Sequence, residues 1–378
     1  MASLRIGVDA GVFRSYQAGI ARYVRSMLCE MMKQAPSHRF HLYATRPVDP
    51  GLPDGNWELH VDRGRPLRPI TLWMQARLPE LLARDRIQVF WGQNHMLPLH
   101  MRHRCARLLT LHDLTPLLFP GTMHYTTRLS SGGLLASAAR KADLLIGVSE
   151  ATANLAVRLL RVKRSKVRVV YEGSGVAGSG DSDHESAPPF DLPRDFVLTV
   201  GTVEPRKDHE VLLKALDDMR EGPFLVVAGG VGWRCSAVFR RLRRFEEAGR
   251  GRYVGRVDDE CLSWLYRNAR LMVYPSKYEG FGLPVVEAMS HGCPVVCSWS
   301  SSLPEVGGRA ARYFRVGDAE GLARLLGRLL TDGRELSRMA RQGIEQARQF
   351  SFSVAADKTM ELMQEAVTVR SRFGSARR

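Results

Sequence analysis

The chain contains no run of eighteen consecutive apolar residues, so a membrane-spanning helix is not expected. Its opening segment, MASLRIGVDAG, leads almost directly into a strand-like stretch. It lacks a basic region followed by a long apolar core, and no signal peptide is expected. Cysteine is sparse: the six, at 29, 105, 235, 261, 293 and 297, form no CxxC pair. Cys293 and Cys297 would share a face of one expected strand. They read either as metal contacts or, more simply, as buried apolar residues, which suits a reducing compartment. No strong divalent-metal cluster stands out, and no metal is expected. The glycines at Gly229, Gly230 and Gly232 lack dinucleotide-site spacing, and no GxxxxGK[ST] phosphate loop occurs.

Acidic residues are also scarce. Asp and Glu number 39 against 55 Lys and Arg, a formal charge of +16. The imbalance is concentrated in residues 1–180, where 25 basic residues face 12 acidic ones. Such a surface attracts nucleic acid, anionic lipid or phosphorylated substrates. Arg161–Arg168 has five basic residues in eight, and Arg240–Arg244 four in five. Each reads alone as a solvated face. Together, in a chain without a recognisable nucleic-acid motif, they make an anionic membrane surface an expected partner. The 378 residues, 44% apolar and 25% charged, suffice for two domains with substantial cores.

The most informative stretch is Tyr278–Gly292, YEGFGLPVVEAMSHG. An apolar strand, Leu271–Tyr274, precedes it, and a second, Cys293–Ser298, follows. Gly280 and Gly282 permit a tight loop or close approach of backbone to a ligand. Pro284 suits the first turn of a helix, and Gly292 suits its end. Free N–H groups at such a helix start favour an anion. Glu279 and Glu287 flank that point and can accept hydrogen bonds from sugar hydroxyls. On local physics the segment is equally an ordinary strand–loop–helix with surface acids.

The order E-G-F-G-L-P-x-x-E-A-M resembles the nucleotide-sugar motif of retaining glycosyltransferases of family GT4, the glycogen-synthase-like group. The resemblance implies an α/β chain of GT-B type: two Rossmann-like domains facing across a cleft. It assigns Glu279 to the transferred sugar and Glu287 to the donor ribose, with Gly280, Phe281, Gly282 and Leu283 completing the donor-binding loop.

Along the first half, strand Leu4–Val8 leads through Asp9 and Gly11 to Gly19. There Ile20, Tyr23, Val24, Met27, Leu28 and Met31 recur at helical spacing. Gly19 serves the turn or lets a phosphate or sugar approach. The G-I-x-R-Y form resembles the GT4 glycine loop near donor and acceptor, with Ala21 where a second glycine is common. Phe40–Ala44 reads as a strand, 46–69 as a long surface loop, and Thr71–Ala83 as a helix that Pro79 could interrupt. Strands at Val89–Gly92 and Leu108–Leu111 point to Asn94, His95, His112 and Asp113, because strand ends line the ligand side of a parallel sheet. His112 can donate to a sugar hydroxyl or phosphate; alternatively the His112-Asp113 pair only satisfies local backbone. TLHDLTPLLFP resembles the H-D-x-x-P segment of GT4 chains, which implies that His112 faces the transferred sugar, with Asp113 supporting it. Residues 120–133 read as a loop, where His124 and Arg128 are acceptor contacts or surface basic residues. A helix at Leu134–Lys141, a strand at Asp143–Val148, a Ser149 cap and a strand at Val167–Tyr171 follow.

Gly173–Pro193, rich in Gly, Ser, Asp and Pro, reads as an interdomain linker. After strand Phe196–Val200, Arg206 and Lys207 stand ahead of a helix that Asp208 would cap. They are an exposed basic turn or a diphosphate site. G-T-x-E-P-R-K resembles the GT4 motif and implies that Arg206 and Lys207 neutralise the donor diphosphate. Ser300–Ser302 can donate to phosphate or, by default, cap a helix near Pro304. The expected domains are 1–180 on the acceptor side, 181–350 for the nucleotide sugar, and 351–378, a helix that in GT-B proteins crosses back to the first domain.

The implied activity is a retaining hexosyltransferase that moves mannose from GDP-mannose to a lipid-diphosphate-linked glycan. Its expected setting is surface polysaccharide or lipopolysaccharide assembly, in the cytoplasm or at the inner face of its membrane. The nucleotide sugar is a cosubstrate, and no cofactor is expected. The catalytic set is His112, Arg206, Lys207 and Glu279. The alternatives are a UDP-sugar donor, a nucleotide-sugar phosphorylase, hydrolase or epimerase, and a basic nucleic-acid-binding protein.

Overall fold

A computed structural model describes residues 3–14, 19–62, 70–93, 95–101, 103–119, 125–174, 190–219 and 221–375, without the side chains of 125–132 and 373–375. The chain divides into two compact units, Met1–Glu172 with Ser351–Arg378, and Gly173–Phe350.

The first unit is built on seven strands: β1 (Arg5–Asp9), β2 (Arg39–Ala44), β3 (Trp57–Val61), β4 (Val89–Gly92), β5 (Ala106–Leu111), β6 (Leu144–Gly147) and β7 (Val167–Val169). They form one sheet in the order β3-β2-β1-β4-β5-β6-β7, and every neighbouring pair is parallel. A parallel sheet needs cover on both faces, which is why β5 is buried along its whole length. On one face, helix Gly19–Gln34 supplies Tyr23, Val24, Met27 and Met31, and C-terminal helix Phe352–Ser375 supplies Ala356, Met360 and Met363 to the same cluster. On the other face lie Trp73, Leu78, Leu82, Leu135 and Ala153.

The second unit repeats the plan with β8 (Phe196–Val200), β9 (Phe224–Ala228), β10 (Gly251–Gly255), β11 (Leu271–Tyr274), β12 (Val295–Ser298) and β13 (Arg312–Phe314). Their order is β10-β9-β8-β11-β12-β13, again all parallel. In each sheet the chain winds outward to one side, then crosses back to the other side of its first strand. The switch points therefore lie between β1 and β4, and between β8 and β11. Ligands of such sheets bind beyond the carboxyl ends of the strands at that place.

Four expectations need correction. The 46–69 segment is not all loop, because β3 pairs along β2 from Phe40↔Trp57 to Ala44↔Val61. Its edge position leaves β3 only half-buried, so its sequence carries little apolar signal. Pro79 does not break its helix. The turn ahead of it, Trp73–Arg77, widens so that the Leu78 N–H reaches back five residues to the Trp73 carbonyl. Residues 125–133 are helical, within Tyr125–Lys141, although Ser130, Ser131, Gly132 and Gly133 are weak helix formers. The strand after Gly292 starts at Val295, so Cys293 lies outside it; both Cys293 and Cys297 are buried and free.

Met363 is fully buried among residues of β1, β2 and helix Gly19–Gln34. Truncation leaves a cavity there. Met363→Ala should destabilise the first unit by about 2–5 kcal/mol, read as a fall in the urea midpoint. An unchanged midpoint would separate this helix from that core.

Candidate active site

At the switch point of the second unit, β8 and β11 deliver two short segments to one place. Beyond β8 the chain makes a turn, Pro205–Lys207, before helix His209–Asp217. Beyond β11 it passes Ser276 and enters the loop to Gly282. The two segments meet through charge. Lys207 Nζ lies 2.6 Å from Glu279 Oε1, and Arg206 Nη1 lies 3.0 Å from Oε2. The Tyr274 hydroxyl, 3.1 Å away, and the Ser276 hydroxyl, 2.5 Å away, also donate to Oε1. Arg206 turns its other nitrogen to Glu204, at 2.7 Å. Glu279 is only 8% exposed. Burial opposes its ionisation, but Lys207, Arg206 and the Ser276 hydroxyl outweigh that and hold its carboxyl at about 2.

The loop is fixed from outside as well. The Glu279 N–H donates to Ser301 Oγ at 2.8 Å. The Ser302 hydroxyl donates to the carbonyls of Phe281, at 2.6 Å, and Glu279, at 3.1 Å. The Ser300 hydroxyl donates to the Lys277 carbonyl. These serines were expected to cap the helix at Leu303–Gly307. Instead Ser302, at its N-cap position, makes no side-chain cap there, and the three hydroxyls hold the 277–281 backbone. Asp208 is corrected in the same way. It takes φ +49° ahead of helix His209–Asp217, leaves that helix uncapped by its side chain, and pairs with Lys277 Nζ at 2.9 Å.

Gly280 and Phe281 are buried, the Phe281 ring standing edge-on to Phe350 at 5.5 Å. Gly282 has φ +112°, which side-chain-bearing residues rarely adopt, and a Cβ there would come within 2.8 Å of Leu303 Cδ2, so a substitution would be strained. Helix Leu283–Ser290 follows, with Pro284 in its first turn. Glu287 is 3% exposed, and its carboxylate accepts from the Tyr266 hydroxyl at 3.1 Å.

In the first unit, the ends of β4, β5 and β7 gather a second set. His112 Nδ1 lies 2.9 Å from Glu172 Oε1. A carboxylate only accepts, so Nδ1 carries the proton, and a neutral ring presents Nε2 as an acceptor. That Nε2 is buried and has no hydrogen-bond partner among the described residues; the same holds for His95 Nδ1 and for both polar atoms of the Gln93 amide. Burial pushes the His95 ring below the ordinary histidine range, against the pull of Asp113 and with the repulsion of His112. Tyr23 stands edge-on to the His112 ring at 4.7 Å. Asp113 Oδ1 accepts from the Thr115 N–H at 2.9 Å and so serves the local turn. Gly19 opens its helix at an exposed position; a Cβ there would meet nothing within 4 Å among the described residues. Asn94 and His124 lie outside the described residues. Arg128 lies in helix Tyr125–Lys141, its side chain outside them too.

Glu172, Gln93, Glu204 and Tyr274 are the residues that sequence reasoning missed. Glu172 had a usable signal: it follows directly on an apolar strand, as His112 does. Gln93 follows β4 in the same manner. The described residues offer one group with metal-ligand spacing, His41, Glu58 and His60, which belongs to neither cluster.

The Glu279 arrangement sets an acid response. Its folded pKa lies below the ordinary carboxyl value of 4.5. The stability it contributes is therefore fully present above that value and is lost as pH falls from there to about 2. Glu279→Ala, which strands two buried cations, should cost the second unit about 3–5 kcal/mol at neutral pH. Urea titration of parent and variant between pH 7 and pH 3 tests this. A gap between them that does not narrow on acidification would contradict it.

Residues 182–348 match the family described as Glycosyl transferases group 1, and residues 18–174 match Glycosyltransferase Family 4. O-antigen chain mannosyltransferase B of Escherichia coli is 39% identical over 169 residues, 44% of this chain and 44% of that protein. Serotype-specific mannosyltransferase WbdA of Escherichia coli is 28% identical over 234 residues, 58% of this chain and 28% of that protein. Each match thus spans less than half the length of the curated relative. Among solved structures, Anabaena Alr3699/HepE in complex with UDP-glucose superposes with a TM-score of 0.72 at 16% identity, over 96% of this chain and 100% of that one. Two parallel sheets of Rossmann order, the motif geometry and these matches together make the chain a GT-B fold glycosyltransferase, related to family GT4 and homologous to bacterial mannosyltransferases.

Proposed function

We propose that the chain is a retaining mannosyltransferase that moves mannose from GDP-mannose to a hydroxyl of a lipid-diphosphate-linked glycan in surface-polysaccharide assembly. The observation that carries the reading is the buried Arg206–Lys207–Glu279 cluster at the β8/β11 switch point. Mannose is favoured because the Escherichia coli relatives are mannosyltransferases by name.

The acceptor oxygen forms a bond to the anomeric carbon as the bond from that carbon to the β-phosphate oxygen breaks. The electron pair leaves with the nucleoside diphosphate, and the acceptor proton passes to the leaving phosphate. The nucleoside diphosphate departs as negative charge grows on it, so cations fixed in advance lower the barrier. Arg206 and Lys207 supply them. A carboxylate offers about four lone-pair sites, and Glu279 already receives Lys207, Arg206, Tyr274 and Ser276. Three of these donors reach Oε1 and only Arg206 reaches Oε2, so a sugar hydroxyl is received at the remaining lone pair of Oε2. Glu279 thus holds the cations ready and then takes the sugar. Glu287 receives the ribose of the donor. His112, its Nδ1 proton held by Glu172, accepts from a hydroxyl of the transferred sugar through Nε2. Gly19, whose side-chain space the protein leaves open, lets the ligand approach the backbone.

No helix among the described residues is long and apolar enough to cross a membrane. Contact with an anionic membrane surface would come through basic side chains. Within Arg161–Arg168, however, Lys166 donates to backbone carbonyls and Arg168 pairs with Glu365 at 2.5 Å, so part of that charge is used internally. Co-sedimentation with anionic and neutral vesicles tests the membrane contact, and equal pelleting with both would remove it.

Calorimetric titration with GDP, UDP, ADP, dTDP and CDP tests the donor. Selective GDP binding is expected. Selective UDP binding would keep the mechanism and overturn mannose from GDP-mannose. Lys207→Ala should lower kcat/KM for transfer by about 10²–10³-fold, and an undiminished value would reject its role. Glu172→Gln, which removes the charge beside Nδ1, should lower kcat while GDP binding stays at the parental level. An unchanged kcat would release His112 from that orientation.

A further inference from the structure

At the opposite edge of the first sheet, the pairing of β2 with β3 aligns His41 with Glu58 and Tyr43 with His60. Directly paired residues, and residues two apart, project from the same face of a sheet. One face of this edge therefore carries His41, Tyr43, Glu58 and His60 together. His41 Nδ1 lies 2.9 Å from His60 Nε2. Glu58 Oε2 lies 3.9 Å from the first and 3.6 Å from the second. A triangle with these three sides has a circumradius of about 2.0 Å, which falls within the Zn–N and Zn–O bond range of about 2.0–2.2 Å. A single ion can thus lie within bonding range of all three atoms once the two rings, whose nitrogens now face each other, turn toward it.

The surroundings fit a metal ligand set better than a plain surface pair. His60 Nδ1 faces Asp85 Oδ2 at 3.6 Å, which orients the ring with its Nε2 toward His41. Asp85 is itself fixed by Arg84, at 2.7 Å, and by the Tyr43 hydroxyl, at 2.8 Å. The Tyr43 ring stacks on His60 at 4.9 Å. His41 is 6% exposed, so its ring is held inside the sheet edge. Glu58 is the exposed member and leaves an open side for water as a fourth ligand.

We propose that His41 Nδ1, His60 Nε2 and the Glu58 carboxylate bind one divalent transition ion of zinc type, which ties edge strand β3 to β2. Two imidazoles and a carboxylate suit zinc better than magnesium or calcium, which prefer all-oxygen sets. Without the ion, one ring proton occupies the gap between the two nitrogens in an N–H···N bond. On binding, that proton moves to the outer nitrogen of its own ring, and no further reactant is needed. The ion serves the sheet edge and takes no part in glycosyl transfer, so this inference stands apart from the proposed function.

The test uses the whole chain, stripped with a chelator and exchanged into metal-free buffer. Zinc is titrated against a competing chelating indicator, and cobalt is followed by its visible ligand-field absorption. One ion per chain, with a rise in Tm on adding zinc, is expected. Glu58→Gln, a change at an exposed position, should weaken zinc binding at least about tenfold, and His60→Gln should abolish both the cobalt spectrum and the Tm shift. If the folded parent binds no ion, or if Glu58→Gln binds zinc as the parent does, the proposal is overturned. If His60→Gln fails to fold, the Glu58→Gln comparison still decides.

Discussion

A carboxylate sealed from water stays ionised only when opposite charge reaches it, and Glu279 is reached by two cations from a distant part of the sequence. Much of the second unit is organised to make that meeting hold. Lys207 and Arg206 stand at the end of one strand and Glu279 beyond the next strand in the sheet, so the sheet's crossing order brings them together. Tyr274, Ser276, Ser301 and Ser302 then fill the remaining hydrogen bonds of the carboxylate and its loop. Glu204 balances the second face of Arg206. The cluster of Arg206, Lys207, Glu204 and Glu279 is formally neutral. It can therefore be buried in the free protein.

The first unit uses a different device at the ends of β4 and β5. His112 is oriented by Glu172, while Gln93 and His95 are left with buried polar atoms that nothing described in the protein satisfies. Buried polar groups without partners are rare because each loses its hydrogen bonds to water. Their concentration at the ends of adjacent strands is what a polyhydroxylated ligand would relieve.

Much of the second unit was legible in order along the chain. Apolar runs bounded by Gly, Pro and polar residues marked β8, β9 and β11, and Pro284 with Gly292 bracketed the helix after the loop. The resemblance of E-G-F-G-L-P-x-x-E-A-M and of G-T-x-E-P-R-K to GT4 motifs pointed to the residues that form the cluster. Edge strand β3 was hidden, because a half-buried strand has no continuous apolar face and its neighbours are loop-like. The roles of Asp208 and Ser300–Ser302 were misread for one reason. Ser and Asp ahead of a helix suit its cap, but here their side chains reach other segments whose nearness no local pattern reveals.

The sequence by itself determined most of the alternation of strands and helices, edge strand β3 and the start of helix Tyr125–Lys141 excepted, and the identity of most chemically apt residues. These follow from apolar periodicity, turn chemistry and motif order, all of which act over a few residues. Tertiary structure alone decided which of those residues meet. The Lys207–Glu279 pair spans 72 positions, His112–Glu172 spans 60, and His41–His60 spans 19. Such contacts depend on strand order and register, and a one-residue slip of β3 would turn Glu58 and His60 to the other face. The ionisation of Glu279, the tautomer of His112 and the ligand triangle at the sheet edge are therefore properties of the folded sheets rather than of any local stretch of chain.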